Sequence, residues 1–180
     1  MPHTVYVDRE QKTKLTEDPD VVTHPVLGFF LDYWNAKRGA SELPAPASFV
    51  PREVRGNLQW VTLVDVLPPD DGEFRYRLVG TRVADYFLGD GTGKTVRDAF
   101  AHADAGFVEG AIWVLRRTCE LRRPLQLTAP ASSWNKIYFP SFDSLYMPYS
   151  SDGRAIDRLI SVFMFDRSSL NGRAASNTAA

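Results

Sequence analysis

The apolar positions of this 180-residue chain change period several times, and each change marks an element. Val26, Phe29, Phe30, Tyr33 and Trp34 recur at i, i+3, i+4, i+7 and i+8, the spacing of one helical face. Thr23 or His24 stands where a cap belongs, and Pro25 suits the first turn. Lys37 and Arg38 complement the dipole in the last turn, and Gly39 supplies a stop. A Pro-rich connector, Leu43-Pro44-Ala45-Pro46, leads to a short helical turn opened by Pro51. From Leu58 to Leu67 the chain is β-branched and extended, and Phe74 to Val79 alternates with period 2. The Pro68-to-Gly72 turn makes these two runs an antiparallel hairpin, with Phe74, Tyr76 and Leu78 on one side and Arg75 and Arg77 on the other.

After Gly80 the pattern turns to short helices around a Gly89-to-Gly93 loop, then to a long helix from about Asp104 to Leu121. On that helix Phe107, Ala111, Val114, Leu115 and Thr118 share a face. Three extended runs follow, near 124–131, 138–149 and 158–165, with Ser150-Ser151-Asp152-Gly153 as the turn between the last two. Residues 1–20 and 168–180 are polar without a sustained period and read as flexible tails. A single domain is expected over 21–167, with a helical cap at 21–57 and a core at 58–167.

The order helix, two strands, short helices, long helix, three strands resembles a PAS domain, and more narrowly a bacterial family of single-domain PAS proteins. The residues that carry this are the helix ending Tyr33-Trp34, the strand exit Phe74-Arg75-Tyr76-Arg77-Leu78-Val79-Gly80-Thr81, the Gly89/Gly93 loop, and Tyr146-Met147-Pro148 before a Ser-Asp-Gly turn. The resemblance implies an α+β fold: a five-stranded antiparallel sheet with helices packed on one face, plus the N-terminal amphipathic helix. It also implies sensing or adaptor duty in signal transduction, without catalysis, and leaves the ligand open.

Composition narrows the classes. With 21 Lys+Arg against 22 Asp+Glu the net charge is −1, which argues against a nucleic-acid partner. One cysteine, Cys119, excludes a disulfide framework and multi-cysteine metal sites. No apolar run is long enough for a bilayer span and no signal-peptide core stands at the N-terminus, so the expected setting is cytoplasmic.

No catalytic constellation emerges. Gly89-Asp90-Gly91-Thr92-Gly93-Lys94-Thr95 ends like a phosphate loop, but the position that needs the first glycine holds Leu88. No metal set forms among His3, His24 and His102, and a haem is disfavoured because the one candidate for a proximal ligand, His102, reads rather as a surface or capping residue. Flavin photochemistry is disfavoured because Cys119, late in the long helix, lacks the Asn-Cys-Arg setting and reads as an inert thiol. The closest approach to a titratable pair is Asp65 with Arg77, for which a cross-hairpin ion pair is the simpler reading.

The arginines Arg77, Arg116 and Arg117 are candidates for an anion site, including a cyclic dinucleotide, against a structural role beside carboxylates and the helix C-terminus. The aromatic share, 12%, is generous. Phe74, Tyr76, Phe87, Trp113, Tyr146 and Phe163 either fill a core or line a ligand cavity, with Asp65, Thr81 and Ser161 as orienting polar groups. Phe29, Phe30, Tyr33 and Trp34 either pack on the sheet or mate with a second copy in a homodimer. The remaining partners expected are a signalling protein and a small molecule.

Overall fold

The computed structural model describes residues 5–8, 13–68, 70, 73–87, 89–134 and 137–166. The tail expected at 168–180 lies outside the described residues. Among the described residues, nine strands and four α-helices run in the order β1 (Val5–Asp8), β2 (Thr13–Glu17), α1 (Pro25–Arg38), β3 (Val61–Val66), β4 (Phe74–Val79), α2 (Thr81–Tyr86), α3 (Val96–Ala99), α4 (Ala105–Leu121), β5 (Leu125–Ala129), β6 (Ser132–Trp134), β7 (Ile137–Phe139), β8 (Ser141–Tyr149) and β9 (Arg158–Asp166). Short 3₁₀ turns at Pro46–Ser48, Pro51–Glu53 and Arg55–Trp60 join α1 to β3, so the extended run expected from Leu58 begins only at Val61. The main sheet is antiparallel and ordered β1-β2-β5-β8-β9-β3-β4; β6 and β7 form a separate hairpin.

The five strands expected of the core are β5-β8-β9-β3-β4, and the chain extends them to seven. This corrects the reading of residues 1–20 as a flexible tail. Thr13 to Glu17 pairs along β5, with Leu15 opposite Leu127 and Glu17 opposite Leu125. Leu15 is buried, and the Glu17 carboxylate is buried with it against Arg117 Nε at 2.6 Å. A short polar segment thus becomes a strand because a partner edge, one leucine and one ion pair are waiting for it.

Alternation along each strand sends residues to opposite faces, and each face has its own core. The outer face carries Val61, Leu145, Met147, Tyr149, Ile160 and Val162, and α1 covers it. The helix is capped as expected: His24 Nδ1 accepts from Val26 N at 3.2 Å, and Gly39, at φ +54°, donates to Asn35 O. Its buried stripe is Leu27, Phe30, Leu31 and Trp34, rotated from the expected one. Phe30 (0% exposed) and Trp34 (1%) lie wholly in this core, and Trp34 Nε1 donates to Pro148 O at 2.8 Å. They are therefore removed from the homodimer candidates. Tyr33 is tied inward too, donating to Glu53 Oε2 at 2.8 Å while accepting from Val50 N at 2.9 Å. Phe29, at 42%, is the one of the four that remains substantially exposed.

The inner face carries Val64, Phe74, Tyr146, Leu159 and Phe163 beneath α2, α3 and α4. Helices α2, α3 and α4 thus pack on one face as expected, and the N-terminal helix α1 covers the other. On β4 the register slips by one residue: Leu63 pairs with Leu78 but Val64 with Tyr76, leaving Arg77 as a bulge. Leu78 is thereby turned away from the Phe74/Tyr76 side, against the simple alternation, and is partly exposed. At the exit of β4, a Cβ on Gly80 would lie 2.5 Å from the Gln59 carbonyl, so only glycine fits where Gly80 N donates to Val61 O.

Candidate functional site

A cavity of about 500 Å³ lies between the inner face of the sheet and α4. Its floor is a row of residues opposite one another on neighbouring strands, Thr62 on β3, Ser161 on β9 and Tyr146 on β8, flanked by Val64, Phe142 and Phe163. Its roof is Gly106, Phe107, Gly110, Ala111, Trp113, Val114 and Leu115 of α4. One side is closed by Phe87 and Phe100, the other by Thr13 and Leu15 of β2 with Leu127, Ala129 and Pro130. The remaining lining residues are Tyr76 and Asp104.

The space arises from the roof. Gly106, Gly110 and Ala111 present almost no side chain, and a Cβ on Gly110 would meet nothing within 4 Å. The walls are held by ring contacts: Phe87 meets Phe163 edge to face at 5.4 Å, Phe142 at 5.6 Å and Phe100 at 5.8 Å. Trp113 sits at the mouth, 48% exposed.

The polar groups of the lining are mostly neutral hydroxyls. Ser161 is 1% exposed, and its Oγ has no hydrogen-bond partner among the described residues. Burial pushes the Tyr146 phenol up to about 12, against a lowering by its hydrogen bond with Ser144, and raises the Tyr76 phenol, with Tyr146 adding to it. Both phenols therefore stay protonated at physiological pH. Among the described residues, Asp104 supplies the one carboxylate and uses Oδ1 to accept from Gly106 N at 2.8 Å, capping α4, and no lysine, arginine or histidine lines the cavity.

Of the cavity candidates, Tyr76, Phe87, Trp113, Tyr146, Ser161 and Phe163 are brought together here. Three are placed elsewhere. Phe74 is buried in the inner core outside the lining, and Thr81 is exposed at the start of α2. Asp65 is on the outer side of β3, where Arg77 Nε reaches it at 3.0 Å and Arg158 Nη2 at 2.8 Å. The bulge lets both arginines converge on this one carboxylate. Residues the pattern did not single out are Thr13, Leu15, Thr62, Phe100 and Phe142. The alternation Phe142-Ser144-Tyr146 was the available signal for one of them.

The anion-site arginines are engaged with carboxylates. Arg77 meets Asp65, Arg116 Nε lies 2.5 Å from Glu73, and Arg117 joins Glu17 at 2.6 Å and Glu120 at 3.1 Å. The pairing with Glu17, then Glu120, raises the Arg117 pKa. Neighbouring groups also use the glycine loop. Asp90 Oδ1 accepts from Thr92 N, Thr92 Oγ1 accepts from Val79 N, Gly93 N donates to Tyr76 O, and Thr95 caps α3. Those groups are committed to the fold, not turned toward a phosphate. Cys119 lies outside the cavity lining, and burial pushes its thiol up to about 12. Among the described residues no group of three His, Cys, Asp or Glu could hold a metal ion, and no helix is long and apolar enough to cross a membrane.

A sheet with helices over a cavity of this size is an α+β module with an internal cavity. Residues 22–162 match the family model for the PAS domain, so the chain belongs to the PAS domain family. Among solved structures, the PAS domain from Bordetella pertussis BvgS is similar over 71% of this chain and 92% of its own, at 16% identity and a TM-score of 0.49. An RNA-binding Light-Oxygen-Voltage receptor matches over 93% of this chain and 44% of its own, at 11% identity and a TM-score of 0.51. The chain thus aligns with less than half of that receptor, and the likeness is one of fold. No curated protein matches the chain. Membership of this family suggests a sensory or interaction module, a class that is in general non-catalytic.

Proposed function

We propose that this PAS domain is a non-catalytic sensor that binds a small molecule in the α4 cavity and passes the change to a protein partner by contact. The observation that carries the reading is the cavity of about 500 Å³, roofed by glycines and alanine and floored by a buried Ser161 hydroxyl with no partner among the described residues. A close-packed interior has few voids larger than a water, and a buried hydroxyl without a partner costs free energy, so both features favour an occupant. The motif-level resemblance to bacterial single-domain PAS proteins supports a setting in cytoplasmic signal transduction. Self-association, where it occurs, has Phe29 to work with rather than Phe30 or Trp34.

The test is native mass spectrometry of the purified protein together with a thermal-shift screen of cellular metabolites. A co-purifying small molecule, or a concentration-dependent rise in Tm, is the expected result. No added mass and no shift across the screen would overturn the sensor reading.

A further inference from the structure

The proposed sensor function leaves open what chemistry the cavity selects, and the lining answers part of this. Its rings come from every side: Phe87 and Phe100 at one wall, Phe142 and Phe163 on the floor, Phe107 and Trp113 above. Such surfaces favour a flat, polarisable molecule that can offer a face or an edge. At interior packing density the volume suits on the order of 20 non-hydrogen atoms, two fused rings with substituents.

Charge decides the next point. Among the described residues the lining holds no cation, and the one carboxylate they supply, Asp104, is exposed at the start of α4 and already accepts from Gly106 N. An anionic group carried into this space would lose its water and gain no counter-charge, which is costly. What the floor offers instead is the row Thr62, Ser161 and Tyr146, hydroxyls on three adjacent strands. Ser161 is the member whose oxygen is buried with no partner among the described residues. A hydroxyl both donates and accepts, so it suits a neutral phenol, alcohol or carbonyl.

Resting on the sensor reading above, we infer that the cavity selects an uncharged aromatic molecule of about two rings bearing one hydroxyl or carbonyl group, and that Ser161 binds that group. The polar atom faces the strands while the rings lie among the phenylalanines. Selection is then made by what the site lacks, a cation, as much as by what it holds.

The experiment measures binding of 2-naphthol, naphthalene and 2-naphthoate to the full chain at pH 7 by calorimetry or probe fluorescence. The expected order is 2-naphthol strongest, naphthalene about fivefold weaker for want of one hydrogen bond, and 2-naphthoate at least tenfold weaker than 2-naphthol. Ser161→Ala is expected to bring 2-naphthol down to the level of naphthalene and to leave naphthalene within about twofold. Ala111→Phe, which fills the cavity from its roof, is expected to abolish binding of both with the fold retained by circular dichroism. Equal or tighter binding of 2-naphthoate, an unchanged naphthol preference in Ser161→Ala, or full binding by Ala111→Phe overturns the inference while leaving a ligand-binding protein. Failure of all three probes to bind overturns it too. The sensor reading is judged separately, by co-purified mass and the metabolite screen.

Discussion

The two faces of one sheet are built from alternate residues of the same strands and end in opposite states. On the outer face, Trp34, Phe30 and Leu27 of α1 press onto Leu145, Met147, Tyr149, Ile160 and Val162, all buried almost completely. On the inner face, α4 stands over rings as large but leaves about 500 Å³ open. Hydrophobicity does not separate them; the covering helix does. Bulky side chains of α1 fill the gap, whereas Gly106, Gly110 and Ala111 of α4 hold it open. The outer face is thus built to hold the fold together, and the inner face trades packing for a cavity.

That division predicts unequal responses to truncation. Trp34→Ala removes a fully buried indole together with its hydrogen bond to Pro148, and should cost about 3–5 kcal/mol in urea unfolding. Phe142→Ala, beside space that already exists, should cost clearly less. Equal losses would break the distinction between the faces.

Arg117→Ala should cost about 2 kcal/mol, because the buried Glu17 carboxylate is left without its cation while Arg117 itself is partly solvated. The double variant with Glu17→Gln should recover part of the loss, which a double-mutant cycle would read. Gly110→Ala should stabilise by about 0.5–1 kcal/mol, since it replaces a mid-helix glycine where the new methyl meets nothing. A loss there would mean that the roof is tighter than it is drawn.

The smallest expected effect is chemical. Burial holds the Cys119 thiol up to about 12, so it remains protonated and iodoacetamide labelling of the native protein should be negligible between pH 7 and 9. Because the folded value lies above the unfolded one, this group's contribution to stability is fully present below about pH 8.5 and is lost as pH rises toward 12. Rapid labelling at pH 8 would show that the end of α4 opens.

Much of this was legible before any coordinates. The cap at His24, the stop at Gly39, the hairpins and the long helix follow from local chemistry, and local chemistry is written in consecutive residues. The facing of α1 was not, because Val26, Phe29 and Tyr33 offer a second apolar stripe one step round the helix from Leu27, Phe30, Leu31 and Trp34. Shape matching to the sheet chose between them. Strand β2 was hidden for a different reason: Thr13-Lys14-Leu15-Thr16-Glu17 has one apolar residue, and its order depends on β5 and Arg117, a hundred or more positions away. The bulge at Arg77 was equally invisible, and with it the outward turn of Leu78 and the meeting of two arginines at Asp65. Part of the pocket could be read from aromatics, Tyr76, Tyr146 and Phe163 along strands with Phe87 and Trp113 on or beside helices, while Thr13, Leu15 and Thr62 enter it only through tertiary pairing.

The Glu17–Arg117 pair joins positions 100 apart, and so ties the strand that walls the cavity to the helix that roofs it. In mechanical terms it is a hasp between the two elements. A lift or twist of α4 would have to drag residues 13–17 along the edge of the sheet or release them, so the sheet edge would feel it as tension or slack.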